Sequence, residues 1–227
     1  MPVRLPTLFG ALSVALLSLS GLCAAPAAAQ IPFMKRAPLP FVGPALAQDR
    51  IISRAVGSLQ VTSPALNAEG AIPLVHTGYG KSTSFPIAWS PVPDAKAYAV
   101  IMEELDPVQR RVITYWVAYN IPAETTSLGH AVHTKAQIAG PKGLLQGLNS
   151  MGGVGYIGPR PPEGDPEHHY HVEVFALSRM LPIRGGATLD EVVAAMSERV
   201  LAEGDLVVNF QPPRPGDLPN GKPAPKP

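Results

Sequence analysis

The chain has 227 residues and a formal net charge of +1, with 18 lysines and arginines against 17 aspartates and glutamates. This balance, with no basic run, gives no electrostatic footprint for nucleic acid or for an anionic membrane surface. The single cysteine, Cys23, cannot form a disulfide within the chain, so stability must come from a hydrophobic core. The length suits one sizeable domain with extensions.

The N-terminus has the pattern of a secretory signal peptide over residues 1–29. Arg4 precedes an apolar run over Leu8–Leu22, and the stretch ends in three alanines. The run is shorter than the ~20 residues that a membrane span needs, so we expect no span and a periplasmic or secreted protein. We predict cleavage after Ala29, and a second Ala-x-Ala at 45–47 leaves the exact site open. The alternative, a lipid anchor on Cys23, is disfavoured by the bulky leucine before it.

Two proline-rich stretches flank the predicted domain. Residues 30–57 contain four prolines and little periodicity, which is typical of a linker or a loosely packed N-terminal arm. Residues 211–227 combine many prolines with no apolar pattern, which predicts an extended, disordered tail. The domain itself is predicted to span residues 58–210.

Apolar and alternating stretches predict several β-strands. Ala97–Met102 is nearly all apolar, as in a buried central strand. Val112–Tyr119 is rich in β-branched and aromatic residues and is followed by Asn120-Ile121-Pro122, which should end it. His168–Leu177 and Leu206–Phe210 are the remaining clear candidates. Strands separated by proline and glycine loops predict a mainly β, sandwich-like fold.

A loop over residues 155–166, rich in glycine and proline, leads directly into the strand His168–Leu177. Prolines restrict this loop, and glycines allow another molecule to approach its backbone. Alternation along the strand places His168 and Tyr170 on one face. The pattern therefore indicates a small anion-binding site at the start of the strand.

One helix is predicted near 188–203. Thr188 and Glu191 have the spacing of a capping box. Apolar residues then recur at helical spacing, ending with Val200.

Several motifs, taken together in their order, resemble the phosphatidylethanolamine-binding proteins and, more narrowly, their bacterial Raf-kinase-inhibitor-like branch. The resemblance covers most of the domain. It rests on Thr62-Ser63-Pro64, Ser84-x-Pro86-x-x-Trp89, Trp116-Val117-x-Tyr119-Asn120-Ile121-Pro122, Gly147-x-Asn149-Ser150-x-Gly152, Gly155-Tyr156-x-Gly158-Pro159-x-Pro161-Pro162 and His168-x-Tyr170. It implies two antiparallel sheets with a few peripheral helices and a small pocket for phosphate-like groups at one end. It also implies a binding protein or inhibitor with no catalysis of its own.

The resemblance assigns pocket roles to particular positions of this chain. The matching ligand-binding residues are His168, Tyr170, Tyr156, Gly158 and Pro159, with Arg160, Glu104, Asp106 and Tyr115 beside them. The family's first block usually reads Asp-Pro-Asp-x-Pro, and here it reads Glu104-Leu105-Asp106-Pro107. Its second pocket histidine falls on Tyr115, which can donate a hydrogen bond but carries no positive charge. The family's aspartate in an earlier turn falls near Tyr79. The pocket is therefore expected to be narrower, less selective for anions, or retuned with Arg160 supplying the positive charge.

The expected partner is a small anionic group or a phospholipid headgroup, with no cofactor and no metal. One alternative is a protein inhibitor, of kinase- or protease-inhibitor type, that presses the rim loop 156–168 against another protein. Another is a weak hydrolase using Ser150 or Glu104, although Ser150 is better explained as a hydroxyl that satisfies loop backbone. Paired carboxylates are disfavoured because the adjacent Glu103 and Glu104 should face opposite ways.

The remaining histidines are candidate metal ligands or surface residues. His169, His171 and Glu173 share a strand face and could in principle bind a metal. A solvated sheet face explains the same alternation. His76, in a predicted loop, is expected at the surface.

Overall fold

The computed structural model describes residues 44–52, 57–106 and 111–217. The predicted signal peptide 1–29, with Cys23, lies outside these residues. So do the first part of the proline-rich arm and the end of the predicted tail from residue 218. Those expectations therefore stay predictions.

The described chain is built mainly of β-strands. Two α-helices are present in it, α1 (Ala47–Arg50) and α2 (Leu189–Met196), together with a short 3-10 turn at Leu74–His76. The strands are β1 (Gly57–Ser58), β2 (Val61–Thr62), β3 (Ile87–Trp89), β4 (Ala97–Asp106), β5 (Arg111–Pro122), β6 (Ser127–Leu128), β7 (Leu145–Gln146), β8 (His168–Leu177) and β9 (Val200–Phe210).

The strands form two sheets. Six of them form a large sheet in the order β1-β9-β8-β4-β5-β7, and three form a small sheet in the order β2-β3-β6. The pairings are antiparallel except for β1 with β9, which is parallel. A buried cluster that includes Phe85, Trp89, Tyr98, Trp116 and Val172 joins residues of both sheets. The predicted mainly β sandwich with a few helices is confirmed.

A second buried cluster lies on the other face of the large sheet, where the helices pack. Ala47 of α1 and Met196 of α2 lie there with Ile101, Val117 and Phe175 of the three central strands. Ile101 and Phe175 sit one residue from Val100 and Val174, which belong to the first cluster. Successive residues of a central strand therefore point alternately into two apolar layers. Because both faces are buried, the central strands have continuous apolar sequences.

The helix is shorter than predicted. Its capping box is present, with the Thr188 side chain accepting from the Glu191 backbone and the Glu191 side chain accepting from the Thr188 backbone. The helix ends at Met196 because the chain then turns through Glu198 at φ 62°, and Val200 begins β9. Val200 is buried as part of a strand and not of the helix, so the helical spacing that included it was misleading.

Strands also extend beyond their apolar stretches. β5 continues to Pro122 through Asn120, which has φ 54° and exchanges side-chain hydrogen bonds with the backbone of Leu181. β4 continues through two buried glutamates, Glu103 and Glu104. An apolar pattern alone could not find these extensions.

Residues 44–52, here called the strap, pack on the large sheet. Ala47 is fully buried, and its N–H donates to the Glu103 carboxylate at 2.8 Å. The expectation of a loosely packed arm is therefore wrong for this stretch.

Candidate functional site

The side chains of three neighbouring strands meet at one end of the large sheet. Glu104 of β4 is 4% exposed and lies between His168 of β8 and Tyr115 of β5. Its Oε1 is 2.5 Å from His168 Nδ1, and its Oε2 accepts a hydrogen bond from Tyr115 Oη at 2.7 Å. With its carboxylate bonded on both sides, Glu104 holds the imidazole in one orientation.

Tyr170 lies beside Glu104, His168 and Tyr115, and its hydroxyl makes no hydrogen bond to the described residues. The side chain is fully buried, and its Oη has no hydrogen-bond partner among the described residues. Its ring stacks near His168, with centroids 6.4 Å apart, and meets Tyr115 edge-on at 5.3 Å. Burial, and secondarily the charge of Glu104, raises the pKa of Tyr170, so the phenol stays protonated and can donate.

The rim loop is fastened by its own polar atoms. Tyr156 Oη donates to the carbonyl of His76 at 2.6 Å, and burial raises the pKa of Tyr156. Gly158 N donates to Ser82 Oγ at 2.7 Å, and the Pro159 carbonyl accepts from Gly78 N at 2.9 Å. These predicted ligand residues therefore lie near the site, but the donors of Tyr156 and Gly158 already have acceptors. These hydrogen bonds fasten the loop to residues 76–82, and the ligand-binding roles of Tyr156 and Gly158 stay predictions.

Close packing explains the glycine at 158. A Cβ there would lie 2.6 Å from the His76 carbonyl oxygen and 2.8 Å from Gly78 N. The loop is also tied to the site directly, because Ile157 N donates to the carbonyl of Tyr115 at 2.9 Å.

Arg160 lies at the exposed edge of the loop. Its guanidinium carbon is 5.1 Å from the centre of the Tyr79 ring, a cation–π arrangement. Tyr79 Oη donates to the carbonyl of Pro161, so this tyrosine supports both the loop and the arginine. The sequence singled out Arg160 but gave no signal for this contact, because it depends on two loops meeting.

A further carboxylate was missed. Asp165 Oδ2 lies 3.6 Å from His168 Nε2, the nitrogen that faces away from Glu104. The spacing of three residues between Asp165 and His168 was the available signal. Asp106, at the end of β4, keeps its predicted role only as a prediction.

The residues named in the hydrolase alternative, Ser150 and Glu104, bond to other parts of the chain. Ser150 Oγ accepts from the backbone N–H of Thr114 at 2.8 Å, as expected of a hydroxyl that satisfies backbone. Glu103 faces the strap while Glu104 faces His168, so the two carboxylates do not form a pair.

The suggested metal site is not assembled either. Within the described residues, no group of three histidine, cysteine, aspartate or glutamate side chains could hold a metal ion. His171 Nδ1 instead lies 2.6 Å from Asp205 Oδ2, and Glu173 is fully buried under the strap. The expectation of a solvated face is therefore wrong at Glu173. The surface assignment of His76 is also wrong, since it is 8% exposed and its Nδ1 lies 2.8 Å from the Thr83 carbonyl.

Two further features of the described residues lie apart from this site. An open depression of about 250 Å³ lies elsewhere, between residues 127–133 and 138–141, and shares no residue with the predicted pocket. Neither helix in the described part of the chain has the length and apolar character to cross a membrane.

The fold is a two-sheet β-sandwich in which a histidine and a tyrosine directly follow a glycine- and proline-rich loop. Residues 62–211 match the family model of phosphatidylethanolamine-binding protein. The chain therefore belongs to the phosphatidylethanolamine-binding protein family.

Relatives from distant organisms share the domain. A UPF0098 protein of Methanothermobacter thermautotrophicus is 36% identical over 150 residues, which cover 66% of this chain and 96% of the relative. A UPF0098 protein of Aquifex aeolicus is 33% identical over 169 residues, or 73% of this chain and 96% of the relative.

Solved structures agree. The phosphatidylethanolamine-binding protein homologue CT736 of Chlamydia trachomatis matches with a TM-score of 0.59 and 28% identity, covering 68% of this chain and 97% of its own. YbcL of Escherichia coli, described as a member of the mammalian family, matches with a TM-score of 0.59 and 27% identity, covering 68% and 99%.

Proposed function

We propose that the protein is an exported, non-catalytic binding protein whose pocket takes a small anionic or phosphate-type group. The observation that carries this proposal is the hydroxyl of Tyr170, which is buried and protonated and has no acceptor among the described residues. A buried donor without a partner costs about 1–3 kcal/mol. A ligand oxygen placed against it would recover that free energy.

The surrounding groups define the chemistry of the ligand. The rings of His168 and Tyr170 are stacked with centroids 6.4 Å apart, and Arg160 adds positive charge at the rim. Asp165, 3.6 Å from His168 Nε2, works against a multiply charged anion but favours a ligand that also carries a positive group. A zwitterionic headgroup such as phosphoethanolamine therefore suits the pocket better than inorganic phosphate does.

The test is a calorimetric and thermal-shift titration with phosphate, phosphoethanolamine, a short-chain phosphatidylethanolamine and acetate. A ligand at 100 times its dissociation constant should stabilise the native state by about 2.7 kcal/mol. We expect phosphoethanolamine to bind more tightly than phosphate. His168→Ala and Tyr170→Phe should each weaken phosphoethanolamine binding at least tenfold. The matched control is Tyr119→Phe, which removes a buried hydroxyl bonded to the Arg184 carbonyl, apart from the pocket cluster.

Other outcomes would overturn the proposal. Binding that survives both pocket variants would place the ligand elsewhere. No binding by any probe, together with a protein complex that weakens on changing the rim loop 156–168, would favour the inhibitor alternative. Turnover of an ester or glycoside that is lost in Ser150→Ala would contradict the non-catalytic part.

Export is proposed on the N-terminal sequence pattern alone. Arg4, the apolar run over Leu8–Leu22 and the alanines ending at Ala29 support it. Mass determination of the protein recovered from the periplasm or medium should give an N-terminus at Gln30. Recovery of only the unprocessed chain from the cytoplasm would refute export.

A further inference from the structure

The strap covers two buried carboxylates on the face of the large sheet opposite the pocket. Glu103 of β4 and Glu173 of β8 are each fully buried. The strap contacts both, because Ala47 N–H donates to Glu103 Oε2 at 2.8 Å and Gln48 N–H donates to Glu173 Oε1 at 3.1 Å. Two consecutive backbone donors thus hold the start of α1 against two different strands.

The hydrogen-bond donors around Glu103 and Glu173 are too few to stabilise two charged carboxylates. Glu103 Oε1 accepts from Thr114 Oγ1 at 3.0 Å, so both oxygens of Glu103 are bonded. Glu173 Oε2 is buried and has no partner among the described residues. A buried carboxylate oxygen with no donor favours the neutral, protonated form of the group.

The charged groups around the pair do not neutralise it. The strap contributes Arg50 and Asp49, and the Arg50 guanidinium is bound by Asp190 on α2. On the sheet, β8 contributes His171, paired with Asp205 of β9. Glu203 of β9 adds another acid, which interacts with Asp49. Acids outnumber bases around Glu103 and Glu173.

We propose that the strap is a proton-controlled latch, docked while Glu103 and Glu173 retain at least one proton between them and released when both are ionised. Docking buries both carboxyls under a backbone that offers only two donors, so a second negative charge there is unsupported. Release admits water to both groups. It also uncovers Ala47 and the apolar sheet surface beneath it.

The titration of the pair has the direction that this latch requires. Burial raises the pKa of Glu103 to about 7. Burial, and secondarily the charge of Glu103, raises the pKa of Glu173 to about 9. Since the docked state keeps protons that solvated carboxyls lose, rising pH weakens docking, by at most about tenfold per pH unit for each proton released. Docking should weaken most steeply below about pH 7, where both carboxyls keep a proton, and less steeply between pH 7 and 9, where only Glu173 does.

Trypsin cleavage after Arg50 reports release of the strap. The full-length chain is digested at pH 6.5, 8 and 9.5, and mass spectrometry follows the Arg50–Ile51 bond. Each rate is divided by that of a free peptide with the sequence of residues 44–52, which removes the pH dependence of trypsin. Cleavage after Lys96, where the fully buried Ala97 begins the central strand β4, reports global unfolding.

We expect the corrected rate at Arg50 to rise at least tenfold from pH 6.5 to 9.5, with no matching rise at Lys96. The double variant Glu103→Gln/Glu173→Gln, which mimics the protonated pair, should be cleaved slowly at every pH. Glu124→Gln, at an exposed position, and His171→Gln should both keep the rise. A flat wild-type profile, an equal rise at Lys96, or a double variant that follows the wild type would overturn the latch.

A direct titration keeps the proposal testable if the double variant does not fold. Carboxyl carbons of the labelled wild-type chain are followed by NMR from pH 5 to 10, alongside the backbone amide signal of Gln48. The latch requires the amide signal to change together with the later carboxyl titration. An amide signal that stays constant through that step would refute it.

Discussion

Glu103 and Glu104 are adjacent in β4, yet they serve opposite faces of the sheet. Each accepts a hydrogen bond from one of two adjacent residues of β5, Thr114 for Glu103 at 3.0 Å and Tyr115 for Glu104 at 2.7 Å. On one face the carboxyl lies under the strap, and on the other it holds His168. The same chemical group therefore has different partners one residue apart, a backbone N–H of the strap for Glu103 and an imidazole for Glu104.

The same substitution at these two positions should have opposite effects above pH 8. Glu103→Gln removes a buried group whose pKa is raised to about 7, so it should increase the free energy of unfolding, by up to about 3 kcal/mol. Glu104→Gln removes charge-assisted hydrogen bonds to His168 and Tyr115 and should lower it by about 1–3 kcal/mol. Urea unfolding at pH 8.5 measures both. Equal signs for the two variants would contradict this assignment.

The stability of the wild-type protein should fall as the pH rises from about 5 to 9. Glu103 and Glu173 have pKa values raised to about 7 and about 9, so the folded state binds more protons than the unfolded chain in this range. The slope should be at most about 1.4 kcal/mol per pH unit for each carboxyl. Chemical unfolding at four pH values measures it, with Glu173→Gln as the variant that should flatten the upper part. Stability that increases between pH 6 and 9 would refute the raised values.

The sequence predicted the architecture better than it predicted the buried acids. The alternation of residues in β8 correctly predicted that His168 and Tyr170 share a face. It was informative because the two faces of the large sheet pack against different apolar clusters. No local pattern distinguishes the buried Glu173 from a solvated one, since its cover comes from a strap more than a hundred residues earlier. The contact of Arg160 with Tyr79 escaped prediction for the same reason. Long-range contacts between loops leave no periodic signal.

Two buried tyrosines of the site should respond differently to loss of their hydroxyls. Tyr156→Phe breaks a 2.6 Å hydrogen bond and leaves the His76 carbonyl without that donor, which should cost about 1–3 kcal/mol. Tyr170→Phe removes a hydroxyl without a partner among the described residues, so without ligand it should be neutral or slightly stabilising. Thermal unfolding of the ligand-free variants measures the difference. A Tyr170→Phe loss as large as that of Tyr156→Phe would mean that its hydroxyl is bonded in solution.

The loop should tolerate no side chain at Gly158. A methyl group there would meet the His76 carbonyl oxygen and the Thr77 carbonyl carbon, each at 2.6 Å, and both are backbone atoms that cannot rotate away. Gly158→Ala should therefore displace the loop, lowering the free energy of unfolding by about 1–3 kcal/mol. The matched control is Gly129→Ala, because a methyl group at Gly129 has no atom within 4 Å.

Ligand binding distinguishes a displaced loop from a general loss of stability. Gly158→Ala should weaken the binding of phosphoethanolamine at a temperature where the variant is fully folded. The reason is that the loop carrying Arg160 is hydrogen-bonded to Tyr115 through Ile157, so a displaced loop disturbs the pocket. Gly129→Ala should bind as the wild type does. Calorimetry at 15 °C gives both affinities. Wild-type affinity in a folded Gly158→Ala protein would separate the loop from the pocket and leave His168 and Tyr170 to bind the ligand alone.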